Sequence, residues 1–328
     1  MDNTITGVNL ENGYMTFTVP ENFVAGNVLI GVHSDAECSP GSCLWSWHIW
    51  VNDQVEDVYL GNLHASVKGV EIMNMNLGSL QTADNLDVYA GGNSGLYYQF
   101  GRKDPFPPYN GSNVELPEVY EIDEHLNNGD HKRVSEATSA QYPTQFVTGN
   151  KSGDQVRTWC TNATRDHWGA APTLTAPPTN TDINLVKTCF DPCPPGYHVM
   201  SAFVWKSISY NESNSANFES RLLMHWPYAE QSMQTKVGND PVFPFDGYRT
   251  PGTITNYEIA GNLLENGTAP YYWTASYYDN GSINGNIVKF KDVTLKATEK
   301  SESTETRTVA ANTGLVKSNA CSVRAQKQ

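Results

Sequence analysis

Hydrophobic positions in this chain recur every second residue over short runs, and polar or glycine-rich punctuation separates the runs. Segments 14–19, YMTFTV, and 27–33, NVLIGVH, are rich in strand-forming residues and bounded by Pro, Gly and Asn, which predicts two strands. After the turn-forming CSPGSC (38–43) comes LWSWHIW (44–50), with three tryptophans and a histidine in seven positions. As a strand its side chains divide by the period of two. Trp45, Trp47, Ile49 and Val51 share one face, and Leu44, Ser46, His48 and Trp50 the other. The first face is wholly apolar, and burial stabilises such side chains by roughly 1.5–3 kcal/mol each. The pattern therefore predicts Trp45 and Trp47 in a core, with His48 as a hydrogen-bonded partner on the mixed face.

Further on, VEIMNMNLG (70–78) sets Met73, Met75 and Leu77 on one strand face, and GLYYQFGRKDPFPP (95–108) reads as an aromatic strand with a proline stop. Residues 109–153 are polar and predict an irregular, solvated loop, within which His125 and His131 lie too far apart for a helical ligand pair. A Pro/Thr connector follows at 172–181, then a turn and strand in DPCPPGYHV (191–199). The best helical segment is short and lies within 217–225; YYWTAS (271–276) is another strand. The Thr-rich, charged stretch 293–312 predicts an exposed two-stranded excursion. The pattern is that of a β-rich, loop-rich chain in which helix formers are scarce.

Composition narrows the class further. The 328 residues include 8 Trp, 17 Tyr and 11 Phe, with only 17% charged residues, and Gly and Pro are abundant. That profile suits a loop-rich extracellular protein. The net charge of −14 disfavours nucleic acid and anionic membrane surfaces, because phosphate binding needs a basic face. No apolar run approaches the ~18 residues of a membrane span. The opening MDNTITGVNL has no signal-peptide pattern, so the chain is expected to be a fragment of a secreted precursor.

Six cysteines, at 38, 43, 160, 189, 193 and 321, read as disulfides in such a chain. Cys38 and Cys43 flank a tight turn and are the expected pair; a zinc site joining them to Cys189 and Cys193 is the alternative. The motifs of nucleophilic, zinc-protease, phosphate-binding and dinucleotide chemistry do not occur. The acid pairs Glu118/Glu121 and Asp123/Glu124 read as solvated carboxylates, and GGNSG (91–95) as a loop. Six N-x-S/T sequons carry no weight in an Asn- and Thr-rich chain. No cofactor is expected, with a calcium site built from scattered loop carboxylates left open.

Several blocks resemble a known family in the same order. They are GNVLIGVHS…CLWSWHIWV (26–51), MNMNLG (73–78), GLYYQFGRKDPFP (95–107), DPCPPGYHV (191–199), VFPFDGYRTPG (242–252), YYWTAS (271–276) and CSVR (321–324). Together they resemble Bacteroidetes surface proteins that carry the Fibrobacter succinogenes major paralogous domain, in particular the C-terminal part of pilus-tip and fimbrillin-like adhesins. The resemblance implies a C-type-lectin-like domain over 59–328, α+β and β-rich with long loops and few short helices, preceded by a β-strand segment over 1–58. It implies no enzyme activity and an extracellular role, at the bacterial surface or pilus tip. The implied partners are a host or bacterial surface protein or glycan, and other pilus subunits. LWSWHIW then belongs to the shared scaffold, and ligand contact is expected in the Tyr- and Asn-rich loop after YYWTAS: Tyr277, Tyr278, Asp279, Asn280, Asn284 and Asn286. A structural pilus or envelope subunit without its own ligand is the alternative, followed by a formylglycine-generating-type or glycan-processing enzyme.

Overall fold

Alternation at the start of the chain produces two successive hairpins. Strand β1 (Thr6–Glu11) returns as β2 (Tyr14–Thr18) through the two-residue loop Asn12-Gly13, with Glu11 opposite Tyr14. Both loop residues have positive φ, 51° and 81°, which is the Asn-Gly turn whose twist matches paired strands. This hairpin stands largely in solvent, with Val8, Leu10 and Tyr14 exposed. Strand β3 (Gly26–His33) pairs with β4 (Cys43–Val51) from Gly26↔Val51 to Val32↔Trp45, with a bulge before His33↔Cys43. In this computed structural model the described residues are 4–60, 69–81, 95–107, 133–149, 159–161, 167–169, 185–201, 204–205, 247–250, 263–264, 271–278, 284–290 and 309–328.

The remaining strands form two sheets that the end of the chain stitches together. The first has the order β5 (Asp57–Tyr59), β6 (Glu71–Met73), β15 (Ala325–Lys327), β8 (Tyr197–Val199). Gln326 faces Ile72 on one side and His198 on the other. The second sheet contains β7 (Tyr97–Gln99), β9 (Tyr248–Arg249), β10 (Leu263–Leu264), β11 (Tyr271–Tyr278), β12 (Asn284–Phe290), β13 (Val309–Val316) and β14 (Ala320–Ser322). There β14 runs parallel to β11 and antiparallel to β7, through Tyr272↔Ser322 and Cys321↔Tyr98.

The core fills the space around β7, β11 and β14. Tyr98, Phe100, Trp168, Trp273, Cys321 and Val323 form one buried cluster. The Phe100 ring meets Trp168 at 5.0 Å and Trp273 edge-on at 5.4 Å, arrangements that add to area burial. Buried indoles here donate their N–H to main-chain oxygens. Trp273 donates to Tyr98 O at 2.6 Å and Trp159 to Phe100 O at 2.7 Å. Arg324 is fully buried and donates to Met73 O at 3.1 Å and to Asn76 Oδ1 at 2.7 Å. The MNMNLG and CSVR blocks thus meet in space.

The chain is strand-rich with very little helix. Met73, Met75 and Leu77 are all buried, as alternation predicted, although β6 ends at Met73 and the next residues turn. Residues 191–199 form a turn and then a strand, also as read from sequence. The polar stretch expected to be irregular differs. Helix α1 (Glu136–Gln141) lies in it, capped by Ser135, whose Oγ accepts from Thr138 N at 3.0 Å. Residues 146–148 beyond it are buried. The helical segment expected in 217–225, the connector 172–181, His125 and His131 lie outside the described residues. Of the Thr-rich excursion, residues 309–312 are described, and they open β13, which pairs antiparallel with β12.

The expected boundary at residue 58 falls inside β5. Hairpin β3–β4 is fastened across it: Asn27 Nδ2 donates to Gly78 O at 2.7 Å and Trp50 Nε1 to Ser79 O at 2.8 Å. Among the described residues no helix is long and apolar enough to cross a membrane.

Candidate functional site

Strand β4 divides differently from the sequence reading. The mixed face docks inward through Ser46, His48 and Trp50, while Leu44 on the same face is 62% exposed. Ser46 is buried and its Oγ donates to Asp104 Oδ1 at 2.6 Å. His48 sits between Asn27 and Tyr98, at 2.8 Å from Asn27 Oδ1 and 3.2 Å from Tyr98 Oη. Asn27 uses its amide N–H on Gly78, so its oxygen faces His48 and sets the ring as a donor at Nε2 and an acceptor at Nδ1. Burial pushes the His48 pKa down to about 4, so the imidazole is neutral at pH 7. The expected role of His48 as a hydrogen-bonded partner is what the structure shows.

The apolar face does not enter a core. Trp47 is 37% exposed, and Trp45 and Ile49 are half-buried; only Val51 is fully covered. The expectation that Trp45 and Trp47 are core residues is therefore corrected. The physical reason is coverage: among the described residues β4 pairs with β3 alone, and the 189–195 segment stands off from the strand across a groove instead of packing onto it.

A groove of about 580 Å³ runs along β4 and is lined on its far side by the 189–195 segment. Trp45, Trp47 and Trp50 contribute from the strand, Pro192 and Pro195 from the segment, and Lys103 from the loop after β7. The Trp45 ring lies 6.1 Å from that of Phe190, and the Lys103 ammonium stands 4.5 Å from the Trp45 centroid. Local chemistry makes the far wall stiff. Pro194-Pro195-Gly196-Tyr197 is closed by Tyr197 N donating to Pro194 O at 3.1 Å, with Gly196 at φ 84°, where a type II turn requires positive φ. Asp191 fixes the flanks. One carboxylate oxygen accepts from Cys193 N at 2.8 Å and from Lys187 Nζ at 2.8 Å, and the other accepts from Val199 N at 3.0 Å.

Charge in the groove is internally balanced. Lys103 Nζ pairs with Asp104 at 2.6 Å and donates to Ser46 O at 2.9 Å and to Ser46 Oγ. Burial lowers the Lys103 pKa, opposed by the Asp104 charge. Asp191 is likewise paired with Lys187. Indole and proline faces bordered by neutralised ion pairs suit an uncharged ligand with an apolar face and hydroxyl or amide edges.

The residues expected to bind ligand lie elsewhere. Tyr277 and Tyr278 end β11, and Asn284 and Asn286 belong to β12, paired as Tyr277↔Gly285 and Tyr278↔Asn284. The expected loop is thus the tip of an antiparallel hairpin, while Asp279 and Asn280 fall outside the described residues. The expected Cys38–Cys43 bridge is not formed, and all six cysteines are free thiols. Cys43 is buried at the start of β4, whereas Cys38 is exposed. Main-chain bonds close the turn instead: Ser34 N donates to Ser42 O at 2.9 Å and Ser42 N to Ser39 O at 3.0 Å.

Comparison of the chain with protein-family models, with curated proteins and with solved structures gave no match.

Proposed function

We propose that this chain is a non-enzymatic, extracellular binding module of a bacterial surface adhesin, of the pilus-tip kind, and that the β4 groove holds a glycan. The observation that carries the reading is the row of solvent-reaching tryptophans on β4, facing a proline-stiffened wall with its charges already paired. Sugar rings offer C–H faces to indole and hydroxyl edges to polar groups, and a rigid aromatic surface loses little entropy on binding. The β-rich body with little helix supports a C-type-lectin-like architecture for residues 59–328 as part of the same proposal. Other pilus subunits are its structural partners in this reading.

The test is a glycan array followed by titration calorimetry on the best hit. Wild type is compared with Trp47→Ala and with a Tyr277→Ala/Tyr278→Ala double variant at the β11–β12 tip. Loss of binding in Trp47→Ala with retention in the double variant supports the groove. The opposite pattern moves the ligand to the hairpin tip. No glycan bound by any form favours a structural subunit.

A further inference from the structure

Behind the groove wall a second set of side chains converges. Glu136, Cys160 and His167 each offer one donor atom, and the three atoms lie within 4.8 Å of one another. His167 Nε2 is 3.0 Å from Glu136 Oε1 and 4.0 Å from Cys160 Sγ. Phe190 separates this cluster from the groove, with its ring 6.0 Å from His167 and 6.1 Å from Trp45.

We propose that Glu136, Cys160 and His167 form a zinc-binding site. The arrangement is not that of a nucleophilic triad, in which imidazole uses one nitrogen for the thiol or hydroxyl and the other for the carboxylate. Here both partners face Nε2, and Glu136 also hydrogen-bonds Cys160, so the three groups close a triangle and not a relay. A metal ion at the point of convergence engages all three donors at once. Zinc bonds of about 2.0–2.3 Å in tetrahedral geometry place donors roughly 3.3–3.8 Å apart, which the observed separations bracket. The sulfur, nitrogen and oxygen set selects zinc over calcium or magnesium, which take all-oxygen sites.

The scaffold holds the donors without a metal. Glu136 opens helix α1 next to its cap, Ser135. Two residues before it, Val134 is bridged to the Cys160 strand: Val134 N donates to Trp159 O and Thr161 N to Val134 O, both at 2.8 Å. Two of the three ligands therefore ride on one hydrogen-bonded unit. Cys160 and His167 are buried, and the Trp159 ring lies 5.7 Å from the imidazole, which makes a dry wall around the donors. Glu136 is the most accessible of the three, with 16% of its side chain exposed against 3% for His167, so a water completes the coordination from that side. On zinc binding the Cys160 thiol gives up its proton to solvent, and affinity falls as pH falls.

The experiment uses the full chain, stripped with chelator under reducing conditions and titrated with Co²⁺ and then Zn²⁺. The expected result is one Co²⁺ per chain, with a thiolate-to-cobalt charge-transfer band and tetrahedral d–d bands, both erased by Zn²⁺. Cys160→Ser removes the charge-transfer band. Glu136→Gln weakens binding by more than about tenfold, the loss that even an outer partner of a ligand causes. A fourfold Cys38→Ser/Cys43→Ser/Cys189→Ser/Cys193→Ser variant keeps the band. Absence of the band in wild type, its survival in Cys160→Ser, or its loss in the fourfold variant overturns the proposal. Circular dichroism of each apo variant checks folding. If Cys160→Ser does not fold, unchanged affinity in the partly exposed Glu136→Gln is the overturning result.

Discussion

Strands β4 and β11 carry nearly the same alphabet and meet opposite fates. CLWSWHIWV and YYWTASYY are both aromatic strands with tryptophan at their centre. Residues 271–275 of β11 are buried on both faces, with Trp273 at 0% exposure. Strand β11 lies between β12 and β14, with Phe100 packed against its tryptophan. Strand β4 has β3 as its partner and buries the face that contains Ser46 and His48, leaving Trp47 at 37%. Side-chain period assigns residues to faces; the number of layers above each face decides burial. Polar groups can be buried when each has a partner, and those of β4 find theirs in Asp104, Asn27 and Ser79.

The contrast is broken most severely from the β11 side. Trp273→Ala removes a fully buried indole and its hydrogen bond to Tyr98 O, and is expected to cost about 3–5 kcal/mol in chemical denaturation. A loss below about 1 kcal/mol contradicts the placement of the core.

The buried face of β4 predicts a pH dependence. The folded-state pKa of His48 is about 4, below its ordinary value, so the unfolded chain takes up the proton first as pH falls. Stability contributed by the neutral imidazole is full above pH ~6.5 and declines toward pH 4, by up to about 3 kcal/mol. Denaturation of wild type and His48→Gln across this window checks it. The variant is expected to show the flatter profile, and identical slopes contradict the assignment.

A smaller effect is expected at the groove wall. Gly196 has φ 84° and open space where a Cβ would sit, so Gly196→Ala strains the backbone alone, by about 1 kcal/mol. Its melting shift is expected to be small, with ligand affinity reduced as the Pro194–Tyr197 turn loosens. A variant as tight-binding as wild type contradicts a role for wall rigidity.

Much of the scaffold was legible because it is local. The 14–19 and 27–33 strands, the DPCPPGYHV turn and strand, the YYWTAS strand and the inward Met73, Met75 and Leu77 follow from period and turn chemistry. Helix α1 carried a readable signal, a serine cap followed by an acid in the first turn, that the polarity of its surroundings hid. The coverage of β4 was not legible, since it depends on which segments lie over each face. Nor was the Glu136, Cys160 and His167 cluster, whose side chains come together across sequence separations of 31 and 7 residues. The pairing of β15 with both β6 and β8 is equally non-local.

Trp47→Ala carries the sharpest test. We expect it to cost less than Trp273→Ala, about 1–3 kcal/mol, because 37% of the indole already faces solvent. The deciding measurement is glycan titration of wild type and Trp47→Ala, with melting temperatures recorded on the same samples. A melting shift well below that of Trp273→Ala, with binding abolished, is the predicted result. A variant that melts far below wild type, or one that melts alike and binds at full strength, contradicts the assignment of β4 as the ligand surface.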